Sequence, residues 1–186
     1  MSSPRKRGSM SLNEWTPTSV GVTFLKSIRP RMINDEHREL SKAKNIAFRS
    51  LKIRERSVFE LREKLALKKV PKVTIDRTIE FLLAKKFLDD RIFTRNWIRY
   101  RRARPFGPKR IKLELRQKVV DEEIIVQELG DAFDGFNQEE VIQELASRRA
   151  ARYRDEDPIK RKKKVFDFLA RRGFSLEMIM KAIKKI

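Results

Sequence analysis

The chain has 186 residues, a formal net charge of +20, charged side chains at 39% of positions and no cysteine. That length holds one domain or a short array rather than two large domains, and the absence of thiols excludes a disulfide framework and a thiolate metal site, as suits a reducing compartment such as the cytoplasm. With only 6 glycines and 7 prolines, few helix breakers interrupt the abundant Lys, Arg, Glu and Leu, so the composition predicts an all-helical protein with a heavily charged exterior.

Residues 1–34 are rich in Ser, Thr, Pro and Gly and show no helical period among Trp15, Val20, Val22, Phe24 and Leu25. They read as a mobile N-terminal arm with one short extended piece around Val20 to Leu25. The leading Met1-Ser-Ser-Pro-Arg-Lys-Arg-Gly8 has no apolar stretch for a secretory signal, and no apolar run anywhere approaches the ~18 residues of a membrane span. Asn34 or Asp35 can cap a first helix running to about Ile53, with Leu40, Ala43, Ala47, Phe48 and Leu51 inward. His37, the single histidine, lies on its acidic first turn, where a surface role is expected.

Ser57-Val-Phe-Glu60 is a capping box that starts a second helix over 58–69. Pro71 ends it, and Thr74 is expected to cap a third helix over 75–86 with Ile75, Ile79 and Leu82 or Leu83 inward. Asp89 and Asp90 could hold a cation or do acid–base work, but with no converging partners they read as the cap of a helix over 90–104. On that helix Phe93, Trp97 and Tyr100 share one face, predicted to pack, and Arg95, Arg99 and Arg102 take the opposite one. Trp97 or Tyr100 stacking on a base is the weaker alternative, because periodic placement favours core packing.

Gly107 serves as N-cap and Pro108 as first residue of the next helix, where a missing N–H is harmless. There Ile111, Leu115 and Val119 line one face and Lys109, Lys112 and Arg116 another, with Leu113 an apolar point beside the basic stripe. Asp121 caps a helix over 122–133 that Gly135 closes. Asn137-Gln-Glu-Glu140 reads as a further capping box, opening a helix to about Arg154 with Val141, Leu145 and Ala146 inward. Asp157-Pro158 repeats the cap-plus-proline start, and Gly173 ends that helix. Ser175 caps the last, which buries Met178, Ile179 and Ile183.

A repeat underlies this order. Leu61, Leu65, Val70, Ile75 and Ile79 recur 50 residues later as Ile111, Leu115, Val120, Ile125 and Leu129, and after a further 54 as Val165, Leu169, Phe174, Ile179 and Ile183. Such recurrence marks tandem helical units that bury their faces on neighbours. The expected architecture is an elongated all-α array of three three-helix repeats, at 35–88, 89–135 and 136–186, preceded by the arm.

Positive charge concentrates in two windows. Residues 93–118 hold ten Lys/Arg against one acid, and residues 148–172 hold eleven against four. Like charge at this density opposes compaction unless an anionic partner is present, which points to nucleic acid or an acidic protein surface. The candidate binding residues are Arg95, Arg99, Arg101, Arg102, Arg104, Lys109, Arg110, Lys112 and Arg116 in the first window, and Lys160, Arg161, Lys162, Lys163, Lys164, Arg171 and Arg172 in the second. The cations at 160–164 sit beside the positive end of a helix macrodipole, an unfavourable place that suggests use. No phosphate-cradling Gly-rich loop, nucleophile–His–acid set or carboxylate cluster occurs, so neither an enzyme nor a cofactor is expected.

In combination, four segments resemble the RecX family of bacterial recombination regulators: Arg56-Ser-Val-Phe-Glu-Leu-Arg-Glu-Lys-Leu65; Phe87-Leu-Asp-Asp90 followed by Phe93; Gly107-Pro-Lys-Arg-Ile-Lys-Leu-Glu-Leu-Arg-Gln-Lys118; and Asp157-Pro158 through Phe168-Leu-Ala-Arg-Arg-Gly-Phe174. The match covers about residues 43–186, with Lys118-Val-Val120 standing where the family has a Lys-Gly-hydrophobic turn. The resemblance implies a modular array of three-helix repeats that lodges in the groove of the RecA filament. There it would restrain ATPase, strand-exchange and co-protease activities. Implied partners are the RecA filament and single-stranded DNA, with duplex DNA a further candidate, bound by a monomer without a membrane. The competing expectation is a basic helical DNA-binding protein that acts without RecA.

Overall fold

The computed structural model describes the backbone from Ser19 and side chains from Asp35 to Ile186. Residues 1–18, which hold half of the expected arm, lie outside the described residues. Among those described there are nine helices and no strand: α1 Ser19–Ile53, α2 Val58–Leu67, α3 Lys72–Ala84, α4 Asp90–Arg102, α5 Pro108–Gln117, α6 Glu122–Phe133, α7 Gln138–Ala151, α8 Pro158–Arg171 and α9 Leu176–Lys184. The first helix starts at Ser19 rather than at Asn34 or Asp35, and the segment Val20 to Leu25, expected to be extended, is helical. Amphipathic period was the wrong criterion there. Helix growth is cooperative, and good helix formers such as Leu25, Lys26, Arg31 and Met32 carry it through Gly21 and Pro30.

The chain divides into two units, residues 1–39 and 40–186. The second contains three cores, one per repeat. Ala43 and Ala47 of α1 join Leu61, Leu65, Ile75, Ile79, Leu82 and Leu88. Phe93 and Ile98 of α4 join Ile111, Leu115, Val120, Ile125 and Leu129, and Ile142 and Ala146 of α7 join Val165, Leu169, Phe174, Ile179, Ala182 and Ile183. Of the fifteen positions that recur in sequence, fourteen are buried and Val70 packs at the edge of its core, so the repeat is a repeat of packing.

One turn explains part of that recurrence. The second helix of each repeat ends in a Schellman motif, in which the residue after the C-cap is left-handed and the next N–H reaches back to the third-last helical carbonyl. The left-handed residues are Lys69, Val119 and Gly173, at φ 59, 53 and 85°. The returning bonds run from Val70 to the Leu65 carbonyl at 3.2 Å, from Val120 to Leu115 at 3.3 Å and from Phe174 to Leu169 at 3.5 Å. The apolar residue that follows the turn therefore lands on the leucine beneath it, which is why both recur.

The caps hold with two changes. Ser57 and Glu60 form the full capping box; Asp89, Gly107, Asp121, Asp157 and Ser175 are N-caps. Thr74 is not a cap: α3 begins at Lys72 behind Pro71, whose carbonyl accepts the Ile75 N–H at 3.0 Å, because Pro71 already has the fixed φ of a helix entrance. Asn137 accepts from the Glu140 N–H, but the Glu140 carboxylate meets the Asn137 side chain rather than its backbone, so that box is half made.

Helix α4 is also rotated from its expected orientation. Its buried line is Phe93, Thr94 and Ile98, while Tyr100 is 47% exposed. Arg95 and Arg102 turn toward α6, where Glu128 and Phe133 wait for them. Leu82 rather than Leu83 is buried in α3, and Phe48 lies at the surface, edge-on to Phe87 at 5.2 Å.

Candidate nucleic-acid and partner interface

The helix that carries the basic stripe, α5, is held at both ends. At its C-terminus the Lys118 carbonyl accepts the Ser57 hydroxyl of α2 at 2.9 Å. At its N-terminus the Gly107 N–H donates to the Arg172 carbonyl at 2.8 Å and the Lys109 N–H to the Gly173 carbonyl at 3.1 Å. Ser57 and Gly107 are equivalent N-caps, and Lys118 and Arg172 equivalent C-caps, so one joint is built twice. In each, a donor at a helix start meets a free carbonyl at a helix end: backbone N–H groups at the second joint, the Ser57 hydroxyl at the first.

The second joint needs glycine on both sides. A Cβ on Gly107 would lie 2.4 Å from the Gly173 carbonyl oxygen, and one on Gly173 would lie 2.2 Å from the Arg110 nitrogen. The first joint is also held by Asp90, which accepts the Val58 N–H at 2.8 Å. Burial raises the Asp90 carboxyl above its ordinary range, against the effect of that bond.

The joints differ in charge. Lys118 Nζ reaches Glu60 at 2.5 Å and lies 4.3 Å from the Trp97 ring centre. Burial alone would raise Glu60, but hydrogen bonds from Arg54 and Lys118 and their charges prevail, holding it at about 2. Arg172 meets no carboxylate among the described residues; its guanidinium donates to the Arg104 and Pro105 carbonyls at 2.6 and 3.1 Å, and burial lowers its pKa.

Among the other candidate residues, several are engaged within the fold. Arg95 grips the buried Glu128 through two bonds of 3.0 and 3.1 Å. Arg101 and Arg110 share the buried Glu114 at 2.6 and 3.0 Å. Arg102 lies over Phe136 and Phe133, and Arg104 over Tyr100. Lys112 and Arg116 converge on Glu122, whose carboxylate those hydrogen bonds hold at about 2. Lys164 pairs with Glu156 at 2.5 Å. Among the described residues Arg99 bonds only to Asn96. Lys109, Lys160, Lys162, Lys163 and Arg171 make no side-chain contact with an acid among the described residues, nor does Arg161, whose Nε is buried without an acceptor. Leu113 is 47% exposed beside them.

Sequence periodicity missed the buried acids. Glu114 and Glu128 occupy core-facing positions, and Glu114 also accepts the Trp97 indole N–H at 3.2 Å. Counted over whole repeats, the excess of Lys and Arg over Asp and Glu is +7 for 35–88, from fifteen against eight. It is +2 for 89–135, from eleven against nine, and +6 for 136–186, from fourteen against eight. The second repeat is nearest neutrality because it holds nine acids, and several of its arginines are anchored on them.

An aromatic cleft of about 630 Å³ lies on the second repeat, lined by Trp97, Tyr100, Phe93, Asn96 and Arg101 with Arg54 and Glu55. Among the described residues no group of three or more acids or histidines could hold a metal ion, and no helix is long and apolar enough to cross a membrane.

Fold and surface define a protein of tandem three-helix units, joined end to end through their second helices and exposing unpaired cations. Family models for the first, second and third three-helix domains of RecX match residues 43–82, 89–129 and 137–183. The chain belongs to the RecX family. It is 31% identical over 141 residues to the regulatory protein RecX of Chlorobium limicola, covering 75% of this chain and 86% of the relative. To that of Chlorobium phaeobacteroides it is 33% identical over 146 residues, covering 78% and 93%. The crystal structure of RecX from Lactobacillus salivarius superposes with a TM-score of 0.69 at 25% identity, over 80% of this chain and 97% of that one.

Proposed function

We propose that this chain is a non-enzymatic cytoplasmic regulator that binds the RecA–single-stranded DNA filament in its groove. There it inhibits RecA's ATP hydrolysis, strand exchange and co-protease activities. The observation that supports this reading is the set of unpaired cations, Lys109, Lys160, Lys162, Lys163 and Arg171, on a helical array of the RecX family. Exposed ammonium and guanidinium groups with no internal acid suit a phosphate backbone or an acidic filament surface. Stacked units suit a partner that itself repeats.

RecA-dependent ATP hydrolysis on single-stranded DNA, measured with this protein added, tests the proposal. A dose-dependent fall is expected; hydrolysis unchanged at every dose would overturn it.

A further inference from the structure

The second and third repeats carry clefts at equivalent places but with different charge. Their first helices align through the N-caps Asp89 and Asn137, an offset of 48, which pairs Trp97 with Leu145, Tyr100 with Arg148, Arg101 with Arg149 and Arg104 with Arg152. The second-helix offset of 54 pairs Glu114 with Phe168 and Lys118 with Arg172. In the second repeat Arg101 is neutralised, its Nε 2.6 Å from Glu114. In the third, Phe168 stands in the place of that acid. Arg149 lies over Phe168 at 5.0 Å and over Tyr153 at 5.1 Å, and its Nε is buried without an acceptor. The cleft it lines, about 220 Å³, is walled by Arg148, Arg149, Arg152 and Arg172 over Leu145 and Phe168.

We infer that this third-repeat cleft is a phosphate-binding site for the backbone of a nucleic acid, resting on the DNA contact in the function proposed above. A buried guanidinium Nε with an unmade donor bond is costly, and four neighbouring guanidinium groups repel one another unless an anion joins them. Glu144 pairs with Arg148 at the exposed surface, and Arg149, Arg152 and Arg172 meet no acid among the described residues. Burial already lowers the pKa of Arg172, so its charge is poorly hydrated and open to an anion. Arg forks match the oxygens of a phosphate in pairs.

A backbone fits better than a compact acidic patch. Unpaired cations continue from Lys160, Lys162 and Lys163 to Arg171 along α8, a span of about 17 Å at 1.5 Å per residue. Positive charge spread over that distance suits an extended polymer of phosphates better than a single compact anion. In the second repeat Glu114 pairs with Arg101 at the equivalent position, and the cleft there presents an aromatic edge instead.

The test is fluorescence anisotropy of a labelled oligothymidylate against the full-length protein, without RecA, across a range of salt. Arg149→Gln with Arg152→Gln should weaken binding about fivefold or more and reduce the slope of log K against log salt by about 0.7 for each phosphate no longer bound. Arg152→Gln alone, at an exposed position, gives the same direction should the double variant fail to fold by circular dichroism. Affinity and slope equal to the parent's overturn the site, as does displacement of the oligonucleotide from the parent by polyglutamate as readily as by unlabelled DNA. Because RecA is absent, the result decides the cleft alone. Failure of the filament reading would show instead as unaltered RecA ATP hydrolysis with the parental chain.

Discussion

At the scale of single residues, the largest local conflict is Val119. A β-branched side chain at φ 53° is strained, since left-handed backbone costs a non-glycine residue roughly 1–2 kcal/mol. Its third-repeat counterpart is Gly173. Val119 is 59% exposed, so its side chain contributes little packing. Val119→Gly should therefore stabilise the protein by about 1 kcal/mol after the entropy cost of glycine, read as a higher denaturant midpoint. A lower midpoint would contradict the strain. Leu65, Leu115 and Leu169 are fully buried and equivalent. Each changed to Ala should cost about 2–5 kcal/mol, and losses below about 1 at two of the three would break the equivalence. These leucines were legible in sequence because apolar period and repeat agree. Glu114 and Glu128 were not, because a buried acid is read from its partners, and all of those but Arg110 lie 13 to 37 residues away. The Arg101/Arg149 pairing was open to discovery by extending the repeat alignment to the first helices.

At the scale of elements, the sequence shows where helices start and stop, since caps are local chemistry, and most ends agree. It does not show how one repeat meets the next. One joint is made mainly of backbone groups and the other by side chains from separate repeats, and their sequence trace is two glycines and a serine far apart. Gly107→Ala fits the φ of −80° at this N-cap, so any loss must come from the approach to Gly173. A cost of about 1–3 kcal/mol in thermal unfolding is expected, and no loss would show that the joint can open freely. The other joint carries an acid signature. Glu60 is held at about 2 in the fold against an ordinary value of 4.5. A depressed carboxyl contributes stability that is full above 4.5 and lost as pH falls toward 2. Glu60→Gln should flatten the acid limb of the stability curve; an unchanged limb would assign the loss to other groups.

At the scale of the whole molecule, charge and repetition meet. An array of three units can touch several protomers of a repeating partner, so each bound molecule should hinder a run of filament longer than its own footprint. A protein that merely coats DNA would instead compete strand for strand. The cations of α8's first turns lie on exposed or half-buried positions away from the core. Lys160→Glu, Lys162→Glu and Lys163→Glu together should therefore remove inhibition while leaving helical content intact. Inhibition at parental strength by that variant would move the interface elsewhere.

The central claim is tested most directly by titrating the protein into RecA preassembled on single-stranded DNA with ATP, following hydrolysis with and without excess free DNA. Regulation in the filament groove predicts inhibition well below one molecule per RecA protomer, persisting when free DNA is supplied. Inhibition that appears only near full coverage and vanishes with added free DNA would contradict it and leave a DNA-binding protein that acts without RecA.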